Sequence, residues 1–231
     1  MGSQATRASS LMAGGTEGNE RLTAVTGVLL IVLLAAVGVT IVFIGRLLWL
    51  HLFLGLALIG PVALKVASTG YRFMRYYTAD PPYRQKGAPP PALRALGPLL
   101  VALTAIVFAT GVVLLVIGPS SRGTLLLVHK VSFICWVVVT AIHIAGHLPE
   151  LVRFNRVSRR TRAELNQLRS LVPGFGGAAE PPVNGTIPGS AGRWLSVAAS
   201  VTLGLVLAAV LIPDFGVWTG AHALLHHHHF R

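Results

Sequence analysis

Along this chain, apolar runs alternate with polar breaks on a scale of about twenty residues, not in the two-residue rhythm of exposed strands. Five runs are long enough to cross a ~30 Å hydrocarbon core as helices, which takes about 20 residues each. The first, Thr26 to Ile44, contains no ionisable residue. After a Gly45-Arg46 turn, the second extends from about Leu47 to Gly70 and carries His51, Pro61 and Lys65. A loop rich in proline and arginine, Tyr71 to Gly97, precedes the third run, Pro98 to Ile117, whose only interior glycine is Gly111. The turn GPSSRG leads into LLLVHKVSFICWVVVTAIHIAGHLPE, Leu125 to Glu150, which Pro149 ends. The fifth run is Trp194 to Ile212.

This pattern predicts an all-α, polytopic membrane helix bundle. Four of its five transmembrane helices form a core over 24–149, and one C-terminal helix follows over 192–212. Around them the sequence predicts a disordered tail at 1–23 and a His-rich tail at 213–231. Between the core and the last span, 150–191 reads as a basic surface helix (RFNRVSRRTRAELNQLRS) and a Gly/Pro linker.

Composition agrees: only 11% of the 231 residues are charged, against about 25% in soluble domains. A formal charge of +12 could suggest a nucleic-acid partner, but its distribution argues otherwise. Arg72, Arg75, Arg84, Lys86 and Arg94 follow the second run, and Arg153, Arg156, Arg159, Arg160, Arg162, Arg169 and Arg193 follow the fourth. The turns after the first and third runs carry only Arg46 and Arg122. Under the positive-inside rule both basic loops are cytoplasmic. The N-terminus is then inside and the C-terminus outside, in a multi-pass protein of the cell membrane. No secretory signal pattern precedes the first run, which is expected to stay as an anchor. The single cysteine, Cys135, has no partner for an intramolecular disulfide and is expected as a buried core thiol.

Histidines are costly in hydrocarbon, so intramembrane ones suggest function. His129 and His143 are fourteen residues apart, which puts them on nearly one helix face about 21 Å apart along the axis. The second and fourth spans both run from outside to inside, and His51 and His129 lie at matched depth near the outer surface. Two neutral imidazoles facing each other at one depth are what a six-coordinate haem b needs from two helices. Gly55, one turn below His51, gives the edge of a macrocycle room to approach the backbone. The plain alternative is that each histidine caps a helix end or snorkels to the interface.

With these residues in place, the first four spans resemble the membrane cytochrome b subunits of formate dehydrogenases and nickel–iron hydrogenases. They also resemble, more loosely, other bacterial four-helix cytochromes b. The resemblance covers about Leu22 to Pro149. It implies that His129 and His143 are haem ligands on the fourth helix, and that His51 on the second helix is the partner of His129. It also implies a redox partner subunit and a quinone as electron donor or acceptor. The chain departs from the family in its first span, which has no histidine to complete an inner haem. Lys65, fourteen residues after His51, lies level with His143. It is either an unusual inner ligand or a cation facing a buried acid, a haem propionate or a polar cavity. One haem b is therefore the primary expectation, with His143 or His147 the candidate ligand of a second.

Several residues have more than one reading. His143 and His147, at i and i+4, could chelate zinc or copper with Glu150 as third ligand. His147 could instead contact a quinone headgroup or a propionate. Arg72 and Arg75 suit propionates or lipid phosphates, or serve as ordinary membrane anchors. Trp49 and Trp194 fall at interfaces, Trp136 reads as packing, and Ser132 and Thr140 read as back-bonded helix residues. The HHHH tract, His226 to His229, with His222, binds transition metals or does nothing. Nothing in the sequence argues for hydrolysis, group transfer or dinucleotide chemistry, since no matching motif is present. Two functions remain. One is an electron-transfer cytochrome b. The other is a non-redox membrane protein, a small metal or solute transporter or a structural subunit, using His143/His147, Lys65 and the His-rich tail.

Overall fold

The computed structural model describes residues 14–85, 91–146 and 188–227. Among these the chain is all-helical, and five helical segments are long and apolar enough to span a membrane. We number the helices α1 (Gly15–Val42), α2 (Ile44–Ala57), α3 (Ile59–Tyr77), α4 (Pro81–Gln85), α5 (Pro91–Ile117), α6 (Gly123–Gly146), α7 (Ser190–Val210) and α8 (Ile212–His227). Helices α2 and α3 are the two halves of one span, Ile44–Tyr77. The basic segment, the linker, His147 and Glu150 lie outside the described residues.

Helix α1 begins at Gly15, inside the stretch expected as a disordered tail. The first turns of α1 dock on the far end of α3. Asn19 Nδ2 donates to Ser68 O at 3.2 Å and Thr23 Oγ1 to Ser68 Oγ at 3.1 Å. The second span also outruns its expected end. At ~1.5 Å per residue its 34 residues reach about 51 Å, so the GYRFMRYY stretch continues the helix beyond any ~30 Å core. The helix of the third span, α5, likewise starts seven residues before Pro98, and Arg94 lies over the Tyr76 ring at 5.9 Å.

The first two spans form a hairpin that reverses across Phe43–Leu47. Both bounding residues leave helical geometry, at φ −110°, and a single turn lies between them. Farther along, Pro61 has no N–H to give Ala57 O, so the span bends where α2 meets α3.

At that bend α7 crosses closest. A side chain on Gly204 would collide with the Ala57 carbonyl, and one on Gly60 with the Ser200 carbonyl. The glycine Cα–H groups are thus directed at carbonyls on the facing helix, a contact that small residues allow in membranes. Gly192, Ser200, Gly204 and Ala208 are the buried residues of α7 and form its contact stripe. The fifth span is therefore an integral part of the bundle rather than an appendage to a four-helix core.

The segment expected as a His-rich tail begins as α8. It folds back on the bundle, with Phe215 only 1% exposed and packed with Leu56, Leu114, Leu115, Ala208 and Trp218. Trp218 Nε1 donates to Leu115 O at 3.4 Å, satisfying a carbonyl in the last turn of α5 that has no helical N–H to accept from.

Helix α3 ends in a Schellman turn: Asp80 N–H bonds Arg75 O at 3.1 Å and Ala79 N–H bonds Tyr76 O at 3.3 Å. Ala79 occupies the left-handed position, φ 64°, where glycine is normal. We expect Ala79→Gly to stabilise the protein by about 1 kcal/mol, read as a higher midpoint in thermal unfolding. An unchanged or lowered midpoint would show that the strained conformation carries no cost.

Candidate functional site

His51 lies in the second turn of α2, and His129 in the second turn of α6. Each is partly buried. Each imidazole meets a threonine hydroxyl on the other arm of its own hairpin. His51 Nδ1 is 3.0 Å from Thr40 Oγ1 of α1, and His129 Nδ1 is 2.9 Å from Thr110 Oγ1 of α5.

The hydroxyls have their own carbonyl partners. Thr40 Oγ1 donates to Val37 O at 2.6 Å, and Thr110 Oγ1 to Ile106 O at 2.7 Å, with Val107 O at 3.1 Å. A carbonyl can only accept, so each hydroxyl proton points at the backbone and its lone pair faces the ring. The network therefore assigns the proton to Nδ1 in both histidines and the lone pair to Nε2. Among the described residues neither Nε2 makes a hydrogen bond. A neutral imidazole anchored through Nδ1–H, with Nε2 bare, is how proteins present histidine to a metal.

The surroundings leave space. A Cβ built on Gly55 would meet nothing within 4 Å, and Gly55 shares a helix face with His51, four residues away. At Gly111 the fit is close, because a Cβ there would lie 3.2 Å from His129 Cε1. That glycine lets the His129 ring lie against α5. Trp49 stacks on Phe53 (centroids 5.4 Å apart, planes within 6°) and meets the edge of Phe215 at 5.8 Å. Helix α8 thus covers the end of the bundle that holds the two histidines.

The other expected site residues lie away from this pair. Lys65 is fourteen residues beyond His51, about 21 Å along the span. Its ammonium donates to Thr23 O at 2.7 Å, and Gly27 gives it passage: a Cβ there would be 3.3 Å from Nζ. Its observed partner is thus a helix carbonyl, not the acid considered from the sequence. That carbonyl is within reach because α1 starts early enough to lie alongside α3. Arg72 is farther still, exposed and 3.8 Å from Glu20. Arg75 forms an ion pair with Asp80 and lies over the Tyr71 ring at 5.8 Å. Both arginines are therefore remote from His51 and His129. In the same cluster Tyr83 is buried, and burial, with Tyr71 beside it, pushes its phenol pKa up.

His143 is partly buried. His129, Trp136 and His143 recur every seven residues, which keeps them on one face of α6. Trp136 is more than packing, since its Nε1 donates to Thr104 Oγ1 of α5 at 2.8 Å. Thr104 in turn donates to Leu100 O at 2.7 Å, so α5 offers the α6 seam two threonines of the same design. Ser132 is back-bonded to His129 O as expected, whereas the Thr140 hydroxyl is buried with no hydrogen bond among the described residues. Cys135 is exposed on the outer surface of α6, not buried, because the seam spacing turns that face away from α5. Among the described residues no three His, Cys, Asp or Glu side chains converge on a point. His147 and Glu150, which the chelate reading needs, lie outside them.

The sequence reading missed Thr40 and Thr110. Threonines appear in every span, and only the pairing of helices singles out these two. Comparison with protein-family models, with curated proteins and with solved structures yields no match to this chain.

Proposed function

We propose that the protein is an integral-membrane b-type cytochrome that transfers electrons to or from a partner subunit or a quinone. In this reading His51 and His129 hold a haem b between the second and fourth spans, near the outer face of the cell membrane. The observation that carries it is the matched preparation of the two rings. On two separate hairpins a threonine accepts a hydrogen bond from Nδ1–H and leaves a bare Nε2, and two such nitrogens are the ligand pair a bis-histidine iron requires. The open space at Gly55 suits the edge of a flat macrocycle, and Gly111 seats the His129 ring against α5. The bound haem would supply one-electron chemistry through its iron. The chain's own residues supply the axial nitrogens, fix their orientation and, through Trp49, Phe53 and Phe215, keep water from that end of the site.

The basic loops after the second and fourth spans set the proposed orientation, N-terminus in the cytoplasm and the His51/His129 pair outward. One haem near one face cannot carry an electron across the whole bilayer. A transmembrane path then needs an inner site involving His143, or a cofactor of the partner. The non-redox alternative draws on Lys65, but its carbonyl bond to Thr23 makes it a clamp between two helices instead of a lining of a transport path.

The test is a reduced-minus-oxidised visible spectrum of the purified protein with a pyridine haemochrome count. We expect a b-type α-band and about one haem per chain, as a bis-histidine site implies. A colourless protein from haem-sufficient cells would overturn the proposal.

A further inference from the structure

We infer that Thr40 and Thr110 are positioning residues: they lock His51 and His129 in the Nδ1–H tautomer and lower the reduction potential of the iron that the rings hold. The second half of this inference rests on the haem reading, and the first half does not.

The argument starts from burial. Thr40 is 1% exposed and Thr110 9%, so neither hydroxyl is open to its surroundings. A threonine hydroxyl in a helix ordinarily bonds its own i−4 or i−3 carbonyl and stops there. Here each one is also met by an imidazole from the other arm of the hairpin. The result is an oriented relay of ring N–H, hydroxyl and backbone carbonyl, in which each bond polarises the next.

Two consequences follow. Flipping the ring would set Cδ2–H against Thr Oγ1, and moving its proton to Nε2 would set a lone pair there; either change costs the hydrogen bond in a site poor in alternatives. The tautomer is therefore held before any metal arrives. Once the ring is a ligand, electron density drawn toward Nδ1–H raises the basicity of Nε2. A more basic ligand favours the more highly charged ferric iron, so the potential falls. The relay is present on both histidines, so the two effects act in the same direction.

The test uses the full-length protein with Thr40→Val, Thr110→Val and the corresponding serine variants. Valine keeps the shape and removes the hydroxyl, while serine keeps the hydroxyl. In haem-loaded protein we expect each valine variant to have a higher midpoint potential and each serine variant to return toward wild type. Loss of haem in the valine variants with retention in the serine variants also supports the assignment. In the haem-free chain, nitrogen NMR of labelled histidine should show Nδ1–H for both rings, and the valine variants should lose that preference. Valine variants with unchanged potential and unchanged ring tautomers would overturn the inference. If the wild-type chain binds no haem, the proposed function falls, and the tautomer measurement alone decides. Nδ1–H would then uphold the positioning role, and Nε2–H would overturn it.

Discussion

If His51 and His129 hold the proposed haem, replacing His129 with alanine should abolish its α-band, and replacing His51 should do the same. This is the largest effect we expect. Each substitution would remove one of the two proposed axial nitrogens, and among the described residues no group of three or more His, Cys, Asp or Glu converges to hold a metal instead. Removing an outer-shell partner of a metal ligand typically costs 10–100-fold in affinity, so losing the ligand itself should cost at least as much. The measurement is haem per chain in the purified variants, beside two comparisons. Cys135→Ser lies on the same helix but on its exposed face, and it should keep the full spectrum. His143→Ala separates one haem from two: a count that falls only partly would assign His143 to a second, inner site. A His129→Ala protein that keeps the wild-type band would show that the iron is held elsewhere.

The second large effect is structural. Gly204→Val should destabilise the bundle by about 3 kcal/mol or more, and Gly60→Val comparably. Overpacking a core commonly costs 1–3 kcal/mol when side chains can move aside. Here the atoms in the way are the Ala57 and Ser200 carbonyls, and a backbone in a helix cannot yield as a side chain does. The substitution would have to push α7 away from the bend in the second span, and with it the start of α8. Equilibrium unfolding in mixed micelles measures the loss. Gly70→Ala is the comparison, because a Cβ there meets nothing within 4 Å, and it should stay close to wild type. Equal stability of Gly204→Val and wild type would mean that α7 does not pack on the second span as described. Because α8 continues from α7, the same variant should also expose Trp218 and quench or shift its fluorescence.

The two effects are coupled through the second span. His51 lies about one and two-thirds turns before Ala57, and Ala57 O is the carbonyl that Pro61 leaves without a helical partner. The close crossing with α7 fixes the axis of α2 at that point. A haem ligand needs its ring held within a fraction of an ångström, and a helix pinned by backbone contact provides that better than one packed through flexible side chains.

Much of this was legible in the sequence, and for one reason. A helix in lipid must satisfy its own backbone groups, so an apolar run of sufficient length dictates its secondary structure without help from neighbours. The five spans and the break at Pro61 follow from local sequence. Helix ends did not follow, because GYRFMRYY and the residues from Gly15 to Thr23 are polar enough to read as loop. Each finds partners on the other arm of the hairpin: Arg72 pairs with Glu20, and just before that stretch Ser68 meets Asn19 and Thr23, and Lys65 meets Thr23 O. The stripe of Ser200, Gly204 and Ala208 was written in the sequence as small residues every fourth position, a signal that names a contact face but not what it meets. Only the tertiary structure decided that it meets Ala57 and Gly60, that α8 closes the histidine end, and that Thr40 and Thr110 hold the two rings. A hydrogen bond between helices depends on which spans are neighbours and how they are rotated, and composition along one chain does not encode either directly.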